Sequence, residues 1–219
     1  MNSVWKNLSF TQKLRYLWDY YRYPVLACLI LLALGIYALI TMATPKKTVV
    51  LNLTFTGTSR QITETPELFT AFEEQFLDTQ TERVALESVT DPLTVSGQVF
   101  SSIYQLLSAK FLSGEIDLFF APRETLSFLG ESGVFLSPES FLTPEERTVL
   151  ADSYICYENE AGEAVPVGIS LRQSDLFARS GLMPEDAGVA VSAVSADPEL
   201  AHLLIEYLFK LPYTGREEE

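Results

Sequence analysis

The chain has 219 residues, 47% of them hydrophobic, and a formal net charge of −14. This length allows one domain of ordinary size beside shorter segments. The acidic balance argues against a nucleic-acid-binding protein, because binding to polyanions requires basic patches. The two cysteines, Cys28 and Cys156, are predicted to lie in different parts of the chain, so we expect no disulfide.

A segment of twenty residues without a charge, residues 24–43, follows a basic leader at residues 1–23. At about 1.5 Å per residue, a helix of this length matches the ~30 Å hydrocarbon core, which predicts a transmembrane helix. The leader carries four basic residues and one aspartate, and only two lysines closely follow the apolar segment. This asymmetry predicts a single-pass protein with a cytoplasmic N-terminus.

An uncleaved anchor is favoured over a signal peptide, because both the leader and the apolar run are long. The sequence Thr41-Met42-Ala43 would nevertheless serve as a cleavage site. The leader itself has a helical apolar stripe with basic residues opposite, typical of a helix lying on the lipid bilayer. A simple extension of the spanning helix is an equally good interpretation of the leader.

The remaining chain is predicted to form one extracytoplasmic domain, residues 46–212, and an acidic tail, residues 213–219. Segments typical of strands and of helices alternate along this domain. The near-continuous apolar strands are predicted at residues 49–55, 84–89, 116–120 and 189–194. This pattern predicts an α/β fold, a three-layer structure in which a mixed, mainly parallel sheet has helices on both faces.

Local signals mark several element ends in this domain. Thr143-Pro144-Glu145-Glu146 and Asp197-Pro198-Glu199 are typical helix starts, since each has a capping side chain followed by proline. A hairpin is predicted around residues 160–162. The run at residues 116–120 is predicted to be a central strand, in which Asp117 makes local hydrogen bonds rather than acting as a catalyst.

Three stretches of the domain resemble the extracellular solute-binding proteins of the type 2 periplasmic-binding class. They are "IDLFFAPRETLSFLGESGVFLSPESFL", "GEAVPVGISL" and "AVSAVSADPELAHLLIEYLF". The resemblance implies that the first belongs to the first lobe, the second to the strand before the interlobe crossover, and the third to the returning strand and helix. The leader also resembles those of uncharacterised single-span membrane proteins of Gram-positive gut bacteria.

One departure from that family affects the expected function. The family inserts a whole second lobe between the crossover and the returning strand, whereas only residues 172–188 lie between them here. We therefore expect a single lobe without a closing cleft. An accessory or interaction protein of the bacterial cell envelope, with an envelope or transporter protein as partner, is favoured. The alternative is a binding module for a small molecule, peptide or wall fragment.

Three loops are predicted to meet at the carboxyl edge of the sheet, where open α/β sheets bind ligands. Small residues there let a ligand approach backbone N–H groups, and two arginines favour an anionic group or a partner's carboxylate. Ordinary turns are the alternative interpretation. The candidate binding residues are Gly57, Thr58, Ser59, Ala121, Pro122, Arg123, Ser170 and Arg172.

No arrangement of residues in the sequence predicts an enzyme, a cofactor site or a metal site. The only histidine, His202, lies off the apolar stripe of the last helix, which predicts a solvated surface residue. A single histidine gives little support to a Ser/His or Cys/His nucleophile pair. Cys156 is expected to be a small buried hydrophobe.

Overall fold

The computed structural model describes residues 23–24, 26–37, 47–59, 62 and 64–211. Residues 26–37 are helical with exposed side chains. Among the described residues, no helix is both long enough and apolar enough to span a bilayer. The described residues do not include most of the leader, residue 25 and residues 38–43 of the predicted span, or the acidic tail. The membrane anchor therefore stays a prediction.

The chain divides into two compact units, and the second begins at Lys47. The second unit contains a six-stranded sheet with the order β2-β1-β3-β6-β5-β4. The strands are β1 (Thr48–Thr56), β2 (Glu82–Val89), β3 (Leu118–Pro122), β4 (Tyr154–Glu158), β5 (Ala164–Ser170) and β6 (Ala187–Val191). The predicted α/β fold, with a mixed sheet and β3 among the central strands, is confirmed.

The expectation that the sheet is mainly parallel is wrong. β1 is parallel to β2 and to β3, but the β3–β6, β6–β5 and β5–β4 pairs are antiparallel. β4 and β5 are joined by the predicted hairpin, and a connection that short can join only antiparallel neighbours. Half of the sheet is therefore a parallel α/β unit, and the other half is an antiparallel extension of it.

Helices cover both faces of the sheet, as predicted. They are α1 (Glu67–Phe76), α2 (Gly97–Leu112), α3 (Arg123–Gly130), α4 (Pro138–Phe141), α5 (Pro144–Leu150), α6 (Asp175–Ser180) and α7 (Pro198–Phe209). Successive side chains of a strand point to opposite faces. Accordingly, Phe120 packs in one hydrophobic core with residues of α1, α6 and α7, and Phe119 in a second core with residues of α2 and α3.

Asp117, directly before β3, ties three segments of the domain together. Its side chain is 0% exposed. One carboxylate oxygen accepts from the Asn52 N–H and side-chain amide (2.8 and 3.1 Å), and the other from the Ser195 hydroxyl and the Ala196 N–H (2.7 and 2.9 Å). The predicted hydrogen-bonding role is confirmed, but these bonds are not local, because Asn52 and Ser195 are distant from Asp117 in sequence. Because residues 192–196 turn around this carboxylate, β6 ends at Val191 rather than at residue 194.

The connection between β5 and β6 is one short helix with its flanking turns. Phe177 of α6 stacks on Phe120 of β3, with 5.6 Å between ring centroids and 4° between ring planes. The Ser174 hydroxyl caps α6 and donates to the Leu208 carbonyl at 2.6 Å. This segment is packed into the first core.

Candidate functional site

The carboxyl ends of β1, β3 and β5 lie at the same edge of the sheet. β1 and β3 are parallel, and β5 runs in the same direction because both β3 and β5 are antiparallel to β6. The loops after β1 and β3 are in contact: a Cβ atom added to Gly57 would lie 2.7 Å from Pro122 Cγ. Gly57 has a φ of +66°, which also favours glycine.

Five of the eight predicted binding residues line two separate cavities, and Ser59, Ala121 and Pro122 line neither of them. The first, of about 750 Å³, is formed by the ends of β3 and β5, and we call it the arginine cleft. Its lining residues are Arg123, Asp152, Ser153, Ser170, Arg172, Gln173, Glu185 and Asp186.

The second cavity, of about 570 Å³, lies at the ends of β1 and β2 and is lined in part by Gly57 and Thr58. The Thr58 and Ser88 hydroxyl oxygens are 3.5 Å apart there. Ser59 is exposed, and its N–H donates to the Leu182 carbonyl at 2.9 Å. Ala121 is buried in the second core. The predicted loops are thus neighbours, but they do not form a single pocket.

The arginine cleft carries charges of both signs. Arg123 opens α3, and its guanidinium donates to the Tyr154 carbonyl at 3.2 Å. The Arg172 N–H donates to the Ser170 hydroxyl oxygen at 3.4 Å. Three carboxylates line the same cleft. The two arginines therefore do not make a purely cationic pocket, and a target with both positive and negative groups fits it better than the simple anion expected from the sequence.

A buried hydroxyl in the wall of the arginine cleft lacks a hydrogen-bond partner. Ser153 is 3% exposed, and its hydroxyl makes no hydrogen bond with any residue that the structure describes. A buried polar group of this kind costs about 1–3 kcal/mol. Such unsatisfied groups call for an explanation, and a ligand or a water molecule is a common one. Ser153 was not among the residues selected from the sequence.

His202 is not the solvated surface residue that the sequence predicted. Its Nε2 lies 3.0 Å from Oε2 of Glu146 and 3.9 Å from Oε1 of Glu206. The side chains of these glutamates are 2% and 1% exposed, and that of His202 is 15% exposed. We call these three residues the Glu-His-Glu cluster. The sequence analysis did not bring these three residues together, because Glu146 is 56 residues from His202.

Glu146 is held in place by the predicted helix start. The Thr143 N–H donates to Glu146 Oε2 at 2.7 Å, and the Glu146 N–H donates to the Thr143 hydroxyl oxygen at 3.4 Å. Burial disfavours ionisation of Glu146, but the hydrogen bonds from Thr143 and the neighbouring His202 outweigh it and lower the pKa of this carboxyl. Glu146 is therefore ionised near neutral pH.

Cys156 is exposed, contrary to the expectation of a buried residue. It lies on β4, which has a neighbour on one side only, so part of its surface is open to solvent. Partial burial raises the pKa of the thiol. The thiolate fraction at neutral pH is correspondingly small, which weighs against a nucleophilic role.

Similarity to known proteins does not assign a family to the chain. No protein-family model, no curated protein and no solved structure matches it significantly.

Proposed function

We propose that the protein is a membrane-anchored, extracytoplasmic accessory protein that binds a protein of the cell envelope through the arginine cleft. The uncharged segment at residues 24–43 and its basic leader support the anchor and its orientation. The solute-binding-protein-like motifs, and the single short helix between β5 and β6, support a one-lobed interaction domain.

The observation that carries the proposal is the position and lining of the arginine cleft. It opens at the carboxyl ends of β3 and β5, the sheet edge at which α/β domains bind their ligands. Arg123 and Arg172 each present a planar fork of donors suited to a carboxylate. The three carboxylates of the cleft accept hydrogen bonds and pair with basic groups. A polypeptide surface carries both kinds of complementary group, carboxylates for the arginines and basic side chains for the carboxylates.

In-cell crosslinking tests this proposal. A photoreactive amino acid in place of Gln173, an exposed residue of the arginine cleft, should yield a defined crosslinked envelope protein. The same replacement at Glu74, an exposed residue of α1, serves as the control position. The variant R123A/R172A should lose most of the Gln173 crosslink, because the carboxylate-binding groups are gone.

A matched variant separates the effect of losing two positive charges from the effect of losing the arginine cleft. R83A/R179A removes two exposed arginines that do not line the arginine cleft, so it should crosslink like the unmodified protein. Equal crosslinking by both double variants, with both folded, would refute the arginine cleft as the binding surface.

The size of the arginine cleft favours one alternative, a binding module for a small zwitterionic molecule. Its volume of about 750 Å³ falls within the range of roughly 300–1,000 Å³ typical of ligand pockets. Thermal shifts of the purified protein with amino acids and short peptides distinguish the two functions. Stabilisation by such a compound, lost in R123A/R172A but kept in R83A/R179A, would support the binding module instead.

A further inference from the structure

We propose that the Glu-His-Glu cluster is a binding site for a divalent cation, with Zn²⁺ as the best-fitting ion. This inference does not depend on the proposed function, because the cluster lies between α5 and α7 and shares no residue with the arginine cleft. One ligand atom from each of Glu146, His202 and Glu206 can be chosen so that all three lie within 4.8 Å of one another.

The spacing of the cluster suits a small ion with a short coordination radius. Zn²⁺ binds imidazole nitrogen and carboxylate oxygen at about 2.0–2.2 Å, so neighbouring ligands of a tetrahedral site are about 3.4 Å apart. The measured separations from His202 Nε2, 3.0 Å to Glu146 and 3.9 Å to Glu206, lie on either side of this value. Shifts of about 0.5 Å would bring both separations from His202 to this ligand–ligand spacing.

The charges of the cluster also suit a divalent ion. Glu146 and Glu206 are two nearly fully buried carboxyl groups beside a single imidazole. A divalent cation bound by neutral imidazole and two carboxylates gives a site without net charge.

The ligand set selects among divalent ions. Imidazole is a good ligand for zinc and other late first-row metals, whereas Ca²⁺ takes about 6–8 oxygen ligands and Mg²⁺ a mostly hydrated octahedron. Two glutamates and one histidine do not supply such oxygen shells. Three protein ligands leave a fourth zinc position for water or another group, and the partial exposure of His202 gives access from solvent.

The surrounding structure positions the ligands in advance. His202 and Glu206 are one turn apart on α7, so their side chains share a helix face. Glu146 comes from α5, where the hydrogen bond from Thr143 N–H orients its carboxylate. The Phe141 ring packs beside the imidazole, with 6.0 Å between centroids. A hydrogen bond that orients a metal ligand from outside the coordination shell, like that from Thr143, typically raises metal affinity about 10–100-fold.

Equilibrium binding of Zn²⁺ to the full chain, purified without a polyhistidine tag, tests the site. Competition with a chromophoric chelator should give one tight site per chain. The variants H202Q and E206Q should each weaken it at least about 100-fold, since loss of an outer-shell partner alone costs about 10–100-fold. E145Q and E199Q remove exposed glutamates from α5 and α7 and should bind within about twofold of the unmodified protein.

The binding curves would overturn the proposal in two ways. The first is binding of Zn²⁺ by H202Q or E206Q as tight as that by the unmodified protein. The second is a loss of affinity in E145Q or E199Q as large as the loss in H202Q and E206Q. Either result would place the ion on the acidic surface of the domain rather than in the cluster.

A measurement on the unmodified chain does not depend on how the variants fold. His202 is the only histidine, so ¹⁵N labelling of histidine gives the ring resonances of this residue alone. One equivalent of Zn²⁺ should shift the Nε2 resonance strongly, and a chelator should restore it. An unshifted Nε2 resonance at a Zn²⁺ concentration that saturates binding would exclude His202 as a ligand.

Discussion

The hydrogen bonds of Asp117 predict a large loss of stability in the variant Asp117→Asn. The side-chain amide keeps the shape of the carboxylate but turns one of its two acceptor oxygens into a donor. Each oxygen of Asp117 accepts from one backbone N–H, of Asn52 or of Ala196. In either orientation of the new amide, one of these N–H groups therefore loses its acceptor.

The expected magnitude follows from these contacts. A buried N–H without an acceptor costs about 1–3 kcal/mol, and hydrogen bonds to a charged group are worth about 1 kcal/mol more than neutral ones. One lost bond and the weakening of the others give a destabilisation of about 4 kcal/mol. With a urea dependence of about 2 kcal/mol per molar, the unfolding midpoint should fall by about 2 M.

Urea-dependent pulse proteolysis of the full chain is the suitable assay. Both tryptophans, Trp5 and Trp18, precede the domain, so tryptophan fluorescence would not report its unfolding directly. Glu158→Gln is the control, because it removes one exposed negative charge and should change the stability by less than about 0.5 kcal/mol. A loss below about 1 kcal/mol in Asp117→Asn would show that the Asp117 network does not hold the domain together.

Two further predictions concern topology and packing. A membrane-impermeant maleimide applied to intact cells at mildly alkaline pH should label Cys156. This is expected because the thiol is exposed and the domain is predicted to be extracytoplasmic. Labelling only in permeabilised cells would contradict the predicted orientation. Gly188→Ala should destabilise the domain by about 1–3 kcal/mol in the proteolysis assay. A Cβ at this position would lie 2.9 Å from the backbone oxygen of Ile169, and an unchanged midpoint would show that β5 and β6 separate easily.

Much of the fold is predictable because its signals are local. The capping box at Thr143 and Glu146 and the cap at Asp197 formed as the sequence predicted. The apolar runs of β1, β2 and β3 are also read directly from the chain. Strand direction is not a local property, however, because an apolar run reads alike in a parallel and an antiparallel pair. The antiparallel pairing of β6 with β3 and β5 was missed for this reason, whereas the β4–β5 hairpin was predicted from its turn.

The candidate sites were harder to predict because their residues are distant in sequence. The i,i+4 spacing of His202 and Glu206 is visible on α7, but Glu146 is 56 residues from His202 and meets it only through packing of α5 on α7. Similarly, sequence alone placed Arg123 and Arg172 at one sheet edge but did not reveal the carboxylates beside them. A search for buried acidic residues near a histidine requires the tertiary structure.

The segment between β5 and β6 supports the proposed protein partner over a small solute. α6 is fixed to the core by the Phe177–Phe120 stack and by the Ser174–Leu208 hydrogen bond, so this connection is not a hinge that carries a closing lobe. The arginine cleft itself is partly open to solvent. A group bound there stays partly solvated unless the rest of its molecule covers the open side. A folded protein partner is large enough to do so, whereas a small solute is not.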